Sequence, residues 1–293
     1  HVKRAISLVH EDVASRYFGC GLAVPFDQLE GLKVVDLGCG SGRDCYAIAQ
    51  LVGENGEVIG VDMTKEQLDI ARKYEEYHRV KFGFKESNVR FVEGYIEDLS
   101  FIADSSVDIA ISNCVVNLCE NKEAVFKEVF RILKTGGEFY WSDIYSDREV
   151  PLDIQQNEVL WGEGMGGAMF WEYFHQLTES IGFEISRIIT AFPVVMKHPE
   201  LKDLIGDVKY VSVLYRMFKL GNDIKKIPCA VTYKGTIKDN HEMLKFDRNS
   251  TFATDDTTQV DGVTAATLRS TRFSPHFEFS NTSVVQDQPV SSH

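Results

Sequence analysis

Residues 33–43 read Lys33-Val34-Val35-Asp36-Leu37-Gly38-Cys39-Gly40-Ser41-Gly42-Arg43. An apolar run that reaches an acidic residue and then breaks into alternating glycines is typical of a buried strand that feeds a tight turn and a helix. Glycines lack the Cβ atoms that would keep a ligand away from the backbone, and they allow positive φ angles. We therefore expect a bulky polar ligand to lie across this turn.

The spacing of the glycines narrows the choice of ligand. A dinucleotide site would place a third glycine at position 43, which is Arg43, and no Gly-Lys-Ser/Thr follows to make a P-loop. The next apolar run, residues 57–61, ends at Asp62. Asp-x-Gly-x-Gly after one strand and an acid after the next resembles the nucleotide site of class I S-adenosylmethionine-dependent methyltransferases. An ordinary strand-to-helix turn remains the alternative.

This resemblance implies roles for particular residues. Asp62 would accept hydrogen bonds from both ribose hydroxyls, and Asp36 with the glycine turn would face the methionine moiety. The residues expected to bind the cofactor are Asp36, Gly38, Gly40, Asp62, Met63, Tyr95, Ile96 and Asn113. The cofactor expected is S-adenosylmethionine, with S-adenosylhomocysteine as the product.

The composition excludes several classes of partner. A formal charge of −13 argues against nucleic acid, so we expect a small-molecule methyl acceptor. No apolar run approaches the ~18 residues needed to cross a bilayer, and we expect no membrane partner and a cytoplasmic protein.

The six cysteines lack the paired spacing of a zinc site, so we expect no metal and reduced thiols. The chain opens with His1 inside an amphipathic pattern, which indicates part of a longer polypeptide.

Short β-branched runs alternate with helical patterns from residue 33 to 145, which is typical of a parallel sheet. We predict helices over residues 42–52 and 122–133 and another after Thr64, with strands at 33–37, 57–61, 89–93, 107–112 and 137–142. The fold predicted is α/β, a Rossmann-like class I methyltransferase sheet with a second, smaller α+β region towards the C-terminus. The expected domains are a cofactor-binding domain over 1–150, an acceptor-site and C-terminal region over 151–273, and a disordered tail over 274–293.

Further segments together resemble one narrower family, the arsenite methyltransferases. The resemblance runs from about residue 8 to 273 and includes these stretches: Tyr17-Phe18-Gly19-Cys20-Gly21, Gly60-Val61-Asp62-Met63-Thr64, Gly94-Tyr95-Ile96-Glu97, Ser112-Asn113-Cys114-Val115-Val116-Asn117-Leu118, Leu160-Trp161-Gly162-Glu163 and Ile205-Gly206-Asp207. It implies an acceptor site built from cysteine thiolates, because trivalent arsenic is a soft centre that prefers sulfur.

The predicted acceptor site departs from that family pattern. Cys20 matches one thiolate position, but Gly164 and Val208 occupy the other two, and neither can act as a ligand. Cys114 or Cys119 are the candidate replacement thiols; the alternative is that they are small buried side chains. The residues proposed for catalysis are Cys20, Glu163 and Tyr17, with His175 as a further candidate.

An aromatic block follows Trp161, and two interpretations of it remain open. The side chains either form a cage for a cationic acceptor or pack in the core. The residues concerned are Trp161, Phe170, Trp171, Tyr173 and Phe174.

Three functions follow from the sequence. The first is a methyltransferase that acts on a small molecule through an altered acceptor site. The second is an arsenite methyltransferase that works with fewer protein thiols. The third is a non-catalytic protein that binds S-adenosylmethionine.

Overall fold

A computed structural model describes residues 2–16, 23–25, 28–196 and 199–280. The chain forms two compact units, which divide between Gly221 and Asn222. The first unit contains the parallel sheet predicted from the sequence. Within the described residues, no helix is long and apolar enough to cross a bilayer.

The first unit is built on a sheet in which eight strands are described. They are β1 (Lys33–Leu37), β2 (Glu57–Asp62), β3 (Val89–Glu93), β4 (Val107–Asn113), β5 (Leu133–Ser146), β6 (Met169–Phe170), β7 (Arg187–Val194) and β8 (Tyr210–Phe218). The order across the sheet is β3-β2-β1-β4-β5-β8-β7, and β6 pairs with β5. Strands β1 to β5 pair in parallel with one another, while β8 is antiparallel to both β5 and β7. The five predicted strands are all present, and β5 extends beyond the predicted bounds at both ends.

Helices cover both faces of this sheet. They are α1 (Val2–Ser7), α2 (Glu11–Ala14), α3 (Arg43–Val52), α4 (Lys65–Lys73), α5 (Glu75–Phe82), α6 (Lys122–Ile132), α7 (Leu152–Gln155), α8 (Glu158–Gly162), α9 (Trp171–Ile181) and α10 (Pro199–Ile205). A 3₁₀ turn, Val116–Leu118, follows β4. Alternate residues of β1 enter opposite apolar layers: Val34 packs on one side and Val35 on the other. Burial on both faces is what a parallel α/β sheet requires, and the predicted fold class is confirmed.

The second unit begins at Asn222 and is rich in short strands. Its elements are β9 (Cys229–Tyr233), β10 (Met243–Lys245), β11 (Thr251–Ala253), β12 (Thr257–Val260), α11 (Gly262–Ser270), a 3₁₀ turn (Ser274–His276) and β13 (Phe277–Ser280). The central strand β9 pairs with both β12 and β13 in antiparallel register.

The prediction of a disordered tail from Ser274 is therefore wrong for its first seven residues. Ser274–His276 form the 3₁₀ turn, and β13 is held by backbone pairing to β9. Phe277 is buried at 3% exposure, which anchors the strand although the surrounding composition is polar. Residues 281–293 lie outside the described part of the chain.

The division at Gly221 also differs from the expected boundary at Pro151. Strands β6, β7 and β8 follow Pro151, yet they pair within the main sheet, and β8 runs antiparallel to nine residues of β5. The sheet therefore extends past Pro151, because its last strands come from the region predicted to be separate. That residues 151–273 carry the acceptor site stays a prediction.

Candidate functional site

The glycine turn lies at the carboxyl edge of the parallel strands. Gly38, Gly40 and Gly42 all have positive φ angles, of 73°, 52° and 85°. The Gly38 and Cys39 amides both donate to the Val61 carbonyl, at 2.8 and 3.0 Å, which ties the turn to β2. A Cβ atom at Gly38 would lie 2.6 Å from Val115, whereas one at Gly40 would meet nothing within 4 Å. The turn is therefore packed on its inner side and open at Gly40.

A cavity of about 220 Å³ lies above this turn. Five of the eight predicted cofactor residues line it, because the ends of β1, β2 and β4 meet there: Asp36, Gly38, Gly40, Asp62 and Asn113. The sequence did not predict the other polar residues of its lining, which include Arg16, Arg43, Asp44, Thr64 and Gln67.

The Asp62 carboxylate joins the glycine turn to the residues after β2 at the edge of the cavity. Its Oδ2 accepts the Gly40 amide at 2.8 Å, and its Oδ1 accepts the Thr64 amide at 2.8 Å. The side chain is 9% exposed, so each carboxylate oxygen is fixed by one backbone donor while the residue still faces the cavity. A carboxylate oxygen has lone pairs for a second donor, so a pair of ligand hydroxyls fits here.

The three predicted residues that remain lie in an adjoining cavity of about 530 Å³. Ile96 is buried in its wall, whereas Met63 and Tyr95 are 63% and 64% exposed. The two cavities share five lining residues: Gly38, Asp62, Thr64, Val115 and Leu118. We call the pair of cavities the cofactor cleft. All eight predicted residues lie along it, and their binding roles stay predictions.

The floor of the cleft is acidic and buried. Burial raises the pKa of Asp36 to about 8, and the nearby charge of Asp44 acts in the same direction. The Cys45 thiol donates to Asp36 Oδ2 at 3.3 Å and partly opposes that rise. Burial also raises the pKa of Asp44, against the effect of Arg43, whose Nη2 lies 2.7 Å from Asp44 Oδ1. Such a floor favours a ligand that brings positive charge.

Arg16 reaches the cleft from a distant part of the chain. Helix α2 precedes it, and the Ser41 hydroxyl in the glycine turn donates to the Val13 carbonyl of α2 at 3.0 Å. Arg16 had no signal in the sequence, because the tertiary packing of α2 brings it to the turn. Asp44 had a weak signal, since it lies in the first turn of the helix that the glycines open.

Of the predicted acceptor-side residues, the structure describes Glu163 and His175, and neither lines the cofactor cleft. Glu163 is exposed at the end of α8 and lines neither cavity. His175 packs its ring against Phe174 and Tyr215, at centroid distances of 5.0 and 5.6 Å, which is a structural environment. Tyr17 and Cys20 lie outside the described residues.

The aromatic block does not form a common cage. Phe174 is fully buried against Phe126 and Trp141, whereas Trp171 and Tyr173 on the same helix are 48% and 50% exposed. Packing in the core is therefore the correct interpretation for Phe174. Trp161 lies beneath the Lys122 ammonium, 5.4 Å from the ring centroid.

Two of the cysteines line the cofactor cleft. Cys114 lines the first cavity, and Cys119 lines the second as a half-buried free thiol. Cys114 is disulfide-bonded, so the expectation of reduced thiols is wrong for this residue. Cys39, Cys45 and Cys229 are free and buried.

Comparisons with known proteins agree with this geometry. The family model described as a methyltransferase domain matches residues 28–184, and the arsenite methyltransferase C-terminal domain matches residues 226–292. The chain is 47% identical to the arsenite methyltransferase of Mus musculus over 281 residues, covering 95% of this chain and 74% of that protein. It is 44% identical to the arsenite methyltransferase of Aquipseudomonas alcaligenes, covering 95% of this chain and 81% of that protein.

A solved structure is similar over nearly the whole fold. It is the crystal structure of an arsenic (III) S-adenosylmethionine methyltransferase from Chlamydomonas reinhardtii, with a TM-score of 0.90 and 37% sequence identity. The match covers 97% of this chain and 96% of that structure.

Proposed function

This chain belongs to the arsenite methyltransferase family of S-adenosylmethionine-dependent methyltransferases, and we propose that it methylates a small molecule through an altered acceptor site. The observation that supports the proposal is a cleft lined by all eight residues predicted to bind the cofactor, combined with Gly164 and Val208, which offer no side-chain ligand.

The residues of the cleft fit S-adenosylmethionine, which supplies an electrophilic methyl group. Asp62 keeps a free lone pair on each oxygen for the ribose hydroxyls. The buried Asp36 carboxyl would pair with the ammonium of the methionine moiety, which offsets the cost of ionising it inside the protein. The open space beside Gly40 lets the ligand approach the backbone.

The acceptor side has lost sulfur at two positions that the family resemblance assigns to thiolates. Gly164 presents no side chain, and its φ angle is +76°. Val208 is 8% exposed and packs in an apolar cluster with Ile144 and Met165. Neither position offers a ligand to trivalent arsenic, so an unmodified three-thiolate site is not available.

A second candidate function is arsenite methylation with fewer protein thiols, in which small thiols complete the coordination. The similarity to arsenite methyltransferases over 95% of the chain favours it. A non-catalytic cofactor-binding protein is the third possibility and is tested by turnover.

The deciding experiment restores both thiols in Gly164→Cys/Val208→Cys. A Cβ atom at Gly164 would have its nearest neighbours at 3.9 Å, so the side chain fits, at a cost of about 1–2 kcal/mol for the left-handed backbone. Wild type and variant are incubated with arsenite, glutathione and S-adenosylmethionine, and methylated arsenic is quantified by chromatography with elemental detection. We expect the variant to form methylated arsenic and the wild type to form little.

The matched control is Gly164→Ser/Val208→Ser, which has the same backbone strain and similar volume but no sulfur. Efficient methylation of arsenic by the wild type would support the second function instead. Absence of S-adenosylhomocysteine release with arsenite and with simple thiol or amine acceptors would support the third. Asp62→Ala should abolish cofactor binding and serves as the blank in all of these assays.

A further inference from the structure

The segment Trp161–Gly167, which carries position 164, is followed by β6, which pairs with β5, and its Met165 packs in the apolar cluster with Ile144. Its own hydrogen bonds are local: the Gly164 amide donates to the Trp161 carbonyl, and the Met165 and Gly166 amides donate to the Leu160 carbonyl. These bonds shape the segment but do not connect it to the sheet. Contacts with other elements must therefore decide where it lies relative to the cofactor cleft.

The side chain of Asn117 connects the segment to the sheet by hydrogen bonds. Its Nδ2 donates to the Gly164 carbonyl at 3.1 Å and to the Ile144 carbonyl at 2.7 Å, so one buried amide joins the segment to the end of β5. The segment also presses closely on the Asn117 backbone, because a Cβ atom at Gly167 would lie 1.9 Å from the Asn117 carbonyl oxygen. Asn117 is fully buried, and its Oδ1 has no hydrogen-bond donor among the described residues.

Asp143 in turn fixes Asn117. Its Oδ2 accepts the Asn117 amide at 3.1 Å and the Trp141 indole at 3.3 Å, while Oδ1 accepts the Ile144 amide at 2.9 Å. The position of a Cβ atom at Gly164 lies 3.9 Å from Oδ1. Asp143 therefore touches both the 3₁₀ turn and the surroundings of position 164.

The same 3₁₀ turn forms a wall of the cofactor cleft. Val115 and Leu118, which flank Asn117, line both cavities. The Lys122 Nζ donates to the Cys119 carbonyl at 2.8 Å and lies over the Trp161 ring, which adds a second contact between this region and the segment. Two consecutive residues of the turn therefore have different partners. Asn117 contacts the segment, and Leu118 lines the cofactor cleft.

We propose that Asn117 and Asp143 are positioning residues that couple the 161–167 segment to the cofactor cleft and so set the acceptor against the methyl donor. That this segment meets the acceptor rests on the proposed function; the coupling itself does not. The usual alternative, a purely structural polar cluster, would stabilise the fold without transmitting cofactor binding.

The test is hydrogen exchange of the 161–167 amides in the full chain, with and without S-adenosylhomocysteine. In the wild type, the ligand should slow exchange of this segment at least about threefold. In Asn117→Ala, the segment should exchange about tenfold faster and should no longer respond to the ligand, while ligand affinity stays within about threefold of wild type. No acceptor is needed, so this result is independent of whether arsenic is methylated.

Asn121→Ala is the matched control. The exposed Asn121 caps α6 by accepting the Ala124 amide at 3.0 Å, so its loss removes a comparable hydrogen bond nearby without touching the segment. This variant should retain the wild-type response. Equal responses in Asn117→Ala and wild type, or loss of response in Asn121→Ala as well, would overturn the proposal.

Asp143→Asn gives an independent readout if Asn117→Ala folds poorly. Burial raises the pKa of Asp143 to about 6. The other titratable groups that face Asp143 are Lys122, Cys119 and Tyr145. Burial lowers the pKa of Lys122. Burial raises the pKa of Cys119 to about 12 and also raises the pKa of Tyr145. The coupling in wild type should therefore weaken as the pH falls from 7 to 5, after correction for intrinsic exchange. A response in Asp143→Asn with the same pH dependence as wild type would contradict the assigned role.

Discussion

Gly40 and Gly42 belong to the same turn, but the structure predicts different consequences for substituting them. Both have positive φ angles. Gly40 lines the first cavity, and a Cβ atom added there would meet no atom within 4 Å. A Cβ atom at Gly42 would lie 2.8 Å from the Phe91 ring. One glycine therefore leaves room for the ligand, and the other allows the helix to pack on the sheet.

Alanine at each position should separate these roles. Gly40→Ala should lower S-adenosylhomocysteine affinity about 10- to 100-fold, because the added methyl lies in the cavity, with about 1–2 kcal/mol of lost stability. Gly42→Ala should lose about 2–4 kcal/mol, since strain and overpacking add. Calorimetry and urea unfolding measure the two effects. A larger stability loss in Gly40→Ala than in Gly42→Ala would contradict this assignment.

Asp36 should make cofactor binding depend on pH. Burial raises its pKa to about 8, and the ionised form is the one that pairs with a cationic ligand. Affinity for S-adenosylhomocysteine should therefore rise with pH up to about 8, by as much as about tenfold per unit well below that value, and then level off. Calorimetry between pH 6 and 9 measures this. Asp36→Asn, or adenosine as a ligand without an ammonium group, should give a flat profile; a flat profile in the wild type would refute the role.

At the scale of elements, an aromatic cluster joins the N-terminal helices to α3 and α5. His78 in α5 is buried at 1% exposure, its Nε2 accepts the His10 amide at 3.0 Å, and its Nδ1 lies 2.7 Å from the Tyr74 carbonyl. The ring also stacks on Tyr46 of α3 at a centroid distance of 3.6 Å. Because the ring accepts one bond and donates the other, it must be neutral.

This histidine should make the fold sensitive to acid. Burial lowers the pKa of His78 from 6.5 to about 4, so its contribution is fully present above pH 6.5 and is lost as the pH falls towards 4. The loss amounts to about 3 kcal/mol at most. Urea unfolding between pH 7 and pH 4 measures it. The difference in stability between wild type and His78→Gln should shrink over that range, and a constant difference would show that His78 does not titrate with unfolding.

The elements predicted best were those with long periodic patterns. The strands 33–37 and 89–93 have the predicted bounds, and α6 ends one residue before the predicted end. Strand β13 was missed because the alternation Phe277-Glu278-Phe279-Ser280 is only four residues long and lies in a polar stretch, and pairing to β9 supplies its order. The continuation of the sheet past Pro151 was also missed, since β8 pairs with β5 across more than sixty residues of sequence.

At the scale of the whole molecule, the negative net charge predicts that the protein does not bind nucleic acid. The net charge of −13 gives a surface that repels phosphate backbones. We expect no complex with double-stranded DNA or RNA in a gel-shift assay at 150 mM salt up to about 10 µM protein. A salt-sensitive shift at low micromolar protein would contradict this expectation.

The sequence by itself determined which residues line the cofactor cleft at the glycine turn. Asp36, Gly38, Gly40, Asp62 and Asn113 could be predicted because each lies at or just after the carboxyl end of a parallel strand, and these ends meet at one edge of the sheet. Glu163 was predicted from its place beside Trp161 and Gly162, and it lies exposed outside the cleft, because neighbours in sequence need not share an environment.

Only the tertiary structure decided what surrounds those residues. Arg16 joins the cleft through the docking of α2, and Asn117 joins Gly164 to β5 through one buried amide. Neither contact has a sequence pattern, because each depends on how elements far apart in the chain pack. Glycine spacing is a local signal that marks the residues predicted to bind the cofactor, whereas strand order and the surroundings of Gly164 depend on long-range contacts that form only in the folded chain.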